Sequence, residues 1–197
     1  MQITEKQLGD IFPNAKADKV KTYTAAFNAV LPRYNFINWK RWAAFLGQIG
    51  VESGELKYDE ELRSKWNTKD PSDKTQPTGN AYEGRKASLG NYVPGDGSKY
   101  IGRGILQITG RANYARYGTK LNLPLIDKPE LAKDPVIATQ IACEYFKDKG
   151  IHSHADAWNL DKCTELVNGR AKLHLEQRKL YSIRALQVLN GDANGSS

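Results

Sequence analysis

The chain is poor in the residues that bind metals or carry redox chemistry. Its 197 residues include two cysteines and three histidines. Cys143 and Cys163 form no CxxC pair and have no suitably spaced histidine, so two buried, reduced thiols are expected, with a single disulfide as the alternative. His152 and His154 are close, but no thiol or carboxylate completes a zinc pattern, and neither metal nor cofactor is expected. Long apolar runs are missing too. No stretch approaches the roughly eighteen residues of a membrane span, which argues against stable membrane insertion. The opening MQITEKQLGD has neither an apolar core nor a small-residue cleavage site and does not read as a signal peptide. Basic blocks are also scarce. Lys and Arg number 29 against 22 Asp and Glu, a formal charge of +7 with pI near 9.3, yet no run of five occurs. Such a charge suits an anionic partner (nucleic acid, an acidic glycan or a membrane surface), and its scatter disfavours a nucleic-acid groove.

What is present is a soluble globular composition, 40% hydrophobic and 26% charged, in a length that fits one domain or two small lobes. The organising stretch is Trp39 to Leu62. Trp39, Trp42, Leu46 and Ile49 recur at helical spacing behind an Asn38 N-cap, and that face should be core. Glu52 closes the helix, Ser53 and Gly54 interrupt it, and Asp59, Glu60 and Glu61 follow. Backed by indoles and aliphatic groups, Glu52 should have its charged form disfavoured, while Glu60 and Glu61 in a polar stretch should stay ionised. A protonated acid facing an ionised base is the equipment of glycoside hydrolysis. In one unbroken helix residues 52 and 60 would stand about 12 Å apart, beyond the roughly 6.5 to 9.5 Å of an inverting glycosidase, so the break at Gly54 matters. Read singly, Glu52 is a helix-end carboxylate and Glu60 and Glu61 a solvated loop.

Elsewhere, Thr4 and Gln7 form a capping box for a short helix closed by Pro13. Ala17–Leu31 reads as a helix with Val20, Tyr23, Phe27 and Val30 on one side. Residues 67–80 are polar and proline-bearing, a loop and a mobile lip for a site. Tyr82 to Tyr117 is dense in glycine. Tyr100, Ile101, Ile105, Leu106 and Ile108 there suggest short strands, a small β element or an irregular wall, and neither a P-loop nor a dinucleotide fingerprint is present. Gln107, Thr109, Arg111, Asn113, Tyr114 and Tyr117 supply the amides, hydroxyls and aromatic faces that suit sugar rings. Asp134 and Pro135 open a helix to about Lys149, with Ile137, Ile141, Ala142, Tyr145 and Phe146 buried, and Asp161–Val167 is another. Leu173–Leu189 is the last, with Leu173, Leu180, Ile183, Leu186 and Leu189 inward. Residues 190–197 read as a frayed tail.

The segment from Phe45 to Leu62, YEGR at Tyr82–Arg85 and GDGSKYIGRGILQITGRANY at Gly95–Tyr114 resemble the family-19 glycoside hydrolases, in particular the bacteriophage endolysins. The resemblance implies a mainly α, lysozyme-like, two-lobed helical fold with a small β element lining the cleft, in a single catalytic domain over 1–197 with no separate cell-wall-binding domain. It matches the general acid to Glu52 in Val51-Glu52-Ser53-Gly54, where the family's His is replaced by Val51. The second carboxylate is matched to Glu60 of Glu60-Glu61-Leu62, with Glu61 as the alternative base. Thr109 matches the water-orienting hydroxyl. Substrate binding falls to Ser53, Tyr100, Arg103, Gln107, Asn113, Tyr114, Asn168 and Arg178. Taken one at a time, Gln107 and Thr109 would be satisfied strand groups, Asn113 a cap, and Arg178 a partner of Glu176 or Asp161. The implied reaction is inverting hydrolysis of the β-1,4-linked glycan strands of bacterial peptidoglycan, without metal. Chitin is the alternative substrate, and a noncatalytic glycan-binding protein the competing class. The endolysin type further implies a monomer, no nucleic-acid partner, and residence in the host bacterial cytoplasm until a separate pore-forming protein releases it to the periplasm and wall.

Overall fold

The computed structural model describes residues 1–70 and 72–191. Its helices are α1 (Glu5–Ile11), α2 (Ala17–Val30), α3 (Trp39–Glu52), α4 (Lys86–Leu89), α5 (Asp96–Lys99), α6 (Arg111–Leu121), α7 (Pro135–Asp148), α8 (Ile151–Asp156), α9 (Leu160–Asn168) and α10 (Leu175–Gly191), with 3₁₀ turns at Leu31–Tyr34, Asn80–Tyr82 and Pro129–Lys133. The fold is mainly α, as expected. The chain divides into two compact units, residues 1–58 with 142–197 and residues 59–141. Of the tail expected at 190–197, Asn190 and Gly191 belong to α10, and 192–197 lie outside the described residues.

The first unit is built on helix packing. Thr4 and Gln7 close the capping box of α1, and the Asn38 side chain accepts from Arg41 N to start α3. Every residue from Trp42 to Gly50 is buried, so α3 is enclosed all round, whereas Trp39 is only half-buried. Phe45 stands at the centre of an aromatic cluster, with ring centroids 5.7 Å from Phe27 and 5.2 Å from both Phe36 and Phe146. The helix packs most extensively on α10, and the contact corrects the expected face of α10. Leu189 is buried as expected, but Leu173, Leu180 and Ile183 are exposed, and Arg178, Ser182 and Ala185 point inward in their place. Gly47 is the reason. A Cβ there would lie 1.9 Å from Ser182 Oγ and 2.7 Å from Arg178 O, an approach that only small neighbours permit. Cys143 and Cys163 are free and buried, and burial pushes the Cys163 thiol up to about 12.

The second unit is irregular. The short strands expected within 82–117 are not formed among the described residues, where two isolated bridges, Glu60↔Arg103 and Arg103↔Ile108, take their place. Gly104 and Gln107, at φ +75° and +51°, fold the would-be strands into a tight turn closed by Ile108 N donating to Arg103 O at 3.1 Å. From Arg111 the chain becomes α6 instead of continuing as an extended wall. The polar segment after Leu62 is anchored at Asn67 and Thr68, each 2% exposed.

Candidate active site

In the first unit, α3 delivers Glu52 at its last turn with 21% of the side chain exposed. Its backing is not the apolar one expected from sequence. Arg178, 2% exposed, extends from α10 and donates from Nη2 to Glu52 Oε1 at 2.6 Å. The same guanidinium donates to Gln48 Oε1 at 2.9 Å and to Leu173 O at 3.1 Å. Gln48, one turn before Glu52, in turn donates to Thr164 Oγ1 of α9 at 3.1 Å. Every link from Thr164 to Arg178 is buried and satisfied, so the cation is desolvated without leaving a polar group unpaired. Glu52 Oε2 makes no hydrogen bond among the described residues. Glu176 and Asp161, the ordinary partners weighed for Arg178, pair instead with Lys179 at 3.4 and 3.0 Å.

Two other residues of this unit are braces. Ser53 is fully buried, donating to Ile49 O at 2.6 Å and accepting from Leu56 N at 2.9 Å, which fixes the turn after α3 and offers nothing to a sugar. Asn168 Oδ1 accepts from Leu173 N at 2.6 Å and ties the end of α9 to the start of α10. An unanticipated acid, Glu55, is buried nearby. Burial pushes its carboxyl upward, but bonds from Tyr181 and Asn14 outweigh this and hold it below the usual range.

In the second unit Glu60 and Glu61 have different surroundings. Glu61 N donates to Gly102 O at 2.9 Å and Gly104 N to Asp59 O at 2.8 Å, flanking the Glu60↔Arg103 bridge. Side chains opposite each other in such a bridge share a face, and those of the next residues share the other. Glu60 accordingly meets Arg103 at 2.7 Å and Lys133 at 3.7 Å, with Oε1 left without a partner among the described residues. Glu61 lies on the Gly102 face. Its Oε1 accepts from Gly102 N at 2.8 Å, and Oε2 accepts from Asn67 Nδ2 at 3.0 Å and Tyr82 OH at 2.8 Å. Burial first, and then the bond to Glu61, push the Tyr82 phenol well above the ordinary tyrosine range.

Gly102 also locates Gln107 and Thr109. A Cβ on it would stand 3.0 Å from Gln107 Oε1, 3.3 Å from Thr109 Oγ1 and 3.4 Å from Glu61 Cβ. The family-matched amide and hydroxyl therefore gather beside Glu61, on the face away from Glu60. Thr109 Oγ1 donates to Gln107 O at 3.0 Å, and Asn113 Nδ2 to Thr109 O at 2.8 Å. Tyr100 and Tyr114 are fully buried, their hydroxyls donated to Ile126 O and Ile101 O, so they frame the site and present no face to a ligand. Arg103 is likewise committed, to Glu60, Lys99 O and Tyr114 OH. Sequence reasoning missed Gln48, Thr164 and Asn67, and quoted Tyr82 only within a motif. The one available signal was Gln48, a polar residue one turn from Glu52 in an apolar helix.

Among solved structures the fold matches a bacterial family 19 chitinase, at TM-score 0.70 and 22% identity over 95% of this chain and 94% of that one. It also matches chitinase C from Streptomyces griseus HUT6037, at 0.69 and 21% over 95% and 76%. The fold is thus the lysozyme-like helical fold of these enzymes. In sequence, a glycosyl hydrolase family 19 domain-containing protein of Haemophilus influenzae is 30% identical over 208 residues, 98% of this chain and 99% of that one. An Arabidopsis thaliana endochitinase is 28% identical over 156 residues, 75% of this chain and 47% of its own length. No family model matches the chain. The chain belongs to glycosyl hydrolase family 19, and it is a glycosidase.

Proposed function

We propose that this glycosidase cuts the β-1,4-linked glycan strand of bacterial peptidoglycan in one displacement. Glu52 gives a proton to the departing glycosidic oxygen, and Glu61, with Thr109 and Gln107 beside it, directs a water to the anomeric carbon. The arrangement around Gly102 carries the choice of base. It supports Glu61, the alternative in the sequence reading, over Glu60, because the hydroxyl matched to water orientation and the amide matched to substrate contact share Glu61's face, and Glu60 is turned to Arg103 and Lys133. For Glu52 the support is geometric, one oxygen pinned by Arg178 while Oε2 makes no hydrogen bond among the described residues.

The formal charge of +7 supports the anionic wall as substrate. In this reading the enzyme is an endolysin, monomeric and released to the wall by a separate pore-forming protein. Chitin is the second reading, favoured because the matched solved structures are chitinases. Reducing-end analysis of digested peptidoglycan, run beside chitooligosaccharide hydrolysis, tests the choice. Turnover of the wall glycan exceeding that of chitin is expected, and the reverse would establish the second reading. Early anomeric-proton NMR on either substrate should show the α product first, since a single displacement inverts a β linkage. Initial formation of the β anomer would overturn the inverting mechanism.

A further inference from the structure

Glu61 is held by more than its catalytic assignment requires. Both accepting positions of Oε2 are filled, by the Asn67 amide and the Tyr82 hydroxyl, whereas Oε1 receives the Gly102 amide alone and keeps one accepting position. The two donors of Oε2 arrive as one preassembled piece. Asn67 is 2% exposed, and its backbone oxygen accepts from Gly79 N at 2.7 Å and Ala81 N at 3.4 Å, the residues that lead into the 3₁₀ turn ending at Tyr82. Its side chain also donates to Leu62 O at 2.8 Å and accepts from Ser64 N at 2.8 Å, so the amide cannot rotate without breaking the loop. Tyr82 is fixed from the other side, where Asn91 Nδ2 donates to Tyr82 O at 3.0 Å and the Arg85 guanidinium lies over the ring at 5.4 Å.

We infer that Tyr82 and Asn67 are positioning residues for Glu61, occupying Oε2 so that the proton of the attacking water is delivered to Oε1. This rests on the reading of Glu61 as the base. In the step, a water O–H bond breaks and its proton goes to Glu61 Oε1, and the water oxygen bonds the anomeric carbon. The glycosidic C–O bond breaks with its electron pair taken up by the leaving oxygen, which receives the proton of Glu52. Tyr82 and Asn67 exchange no proton. They fix the carboxylate rotamer through two hydrogen bonds to Oε2.

Three proteins test this, the wild type, Tyr82→Phe and Glu61→Gln, each checked for native circular dichroism. On whichever soluble oligosaccharide turns over, Tyr82→Phe should lower kcat about tenfold, the scale of one lost hydrogen bond to a charged group, with KM changed by less than about twofold. A loss of packing alone would not produce this split between kcat and KM. Separately, carbon-13 tyrosine labelling follows the Tyr82 phenol without altering it, and in Glu61→Gln this phenol should titrate at lower pH than in the wild type. If Tyr82→Phe keeps kcat while Glu61→Gln is inactive, the positioning role is wrong and the base assignment survives. If Glu61→Gln retains turnover, the base assignment falls and the inference falls with it.

Discussion

The two units fix a carboxylate by different physical means. Glu52 is held by side chains that project from regular helices: Gln48 on α3, Arg178 on α10 and Thr164 on α9. Glu61 is held in irregular chain by a backbone amide, an asparagine locked in its own loop and a tyrosine at the end of a 3₁₀ turn. In the first case geometry is inherited from helix packing, so whatever separates α3 from α10 also displaces the acid. In the second it depends on local hydrogen bonds, so a small change can disturb the carboxylate while the core of the protein survives. Placing Glu52 on packed helices couples it to global stability, and placing Glu61 on a pinned loop uncouples it.

The largest expected effect is that of Glu52→Gln, which keeps an oxygen for Arg178 but removes the transferable proton. Turnover should fall by about 10²- to 10⁴-fold with circular dichroism unchanged. Near-normal turnover in a folded variant would remove Glu52 from the mechanism. The contrast between units is sharpened by two glycines. Gly47→Ala drives a methyl against Ser182 and the Arg178 carbonyl, and overpacking of this kind costs about 1–3 kcal/mol, so thermal melting should show a clear loss of stability together with activity. Gly102→Ala meets only contacts of 3.0 Å and longer. Here activity should drop several-fold while the melting temperature moves little, and equal losses of stability in both variants would erase the distinction.

A smaller effect is expected from pH. All three histidines lie in the first unit. Burial, and then the charge of Arg41, hold His152 below the usual imidazole range, against a bond to Tyr34 O and the charge of Asp156. The unfolded chain therefore takes up this proton at a higher pH than the folded one. Stability is highest above the ordinary histidine value of about 6.5 and declines as pH falls below it. Hydrogen exchange at pH 5 compared with pH 7.5 should show protection lost first in α8, with α6 of the second unit much less affected. A uniform response would mean that His152 does not set the difference. Asp156, held at about 2 chiefly by its bond from Arg41, keeps its own contribution until the pH falls through the range from 3.8 towards that value.

The sequence by itself determined the helices whose signals are local. The Thr4 capping box, the Asn38 cap and the Asp134-Pro135 start of α7 depend on groups within a few residues of one another. It also determined the family, through the motif containing Gln107, Thr109 and Asn113, and the two stretches that supply carboxylates. Only the tertiary structure decided which way α10 faces, because its leucine pattern could not reveal that α3 presents Gly47, where bulky side chains do not fit. The partner of Glu52 was equally hidden, since Arg178 lies 126 residues away and no periodicity specifies a pair at that separation. The distinction between Glu60 and Glu61 came from the bridge to Arg103 and from Gly102, 41 residues beyond Glu61, which turn two adjacent and chemically identical side chains to opposite faces.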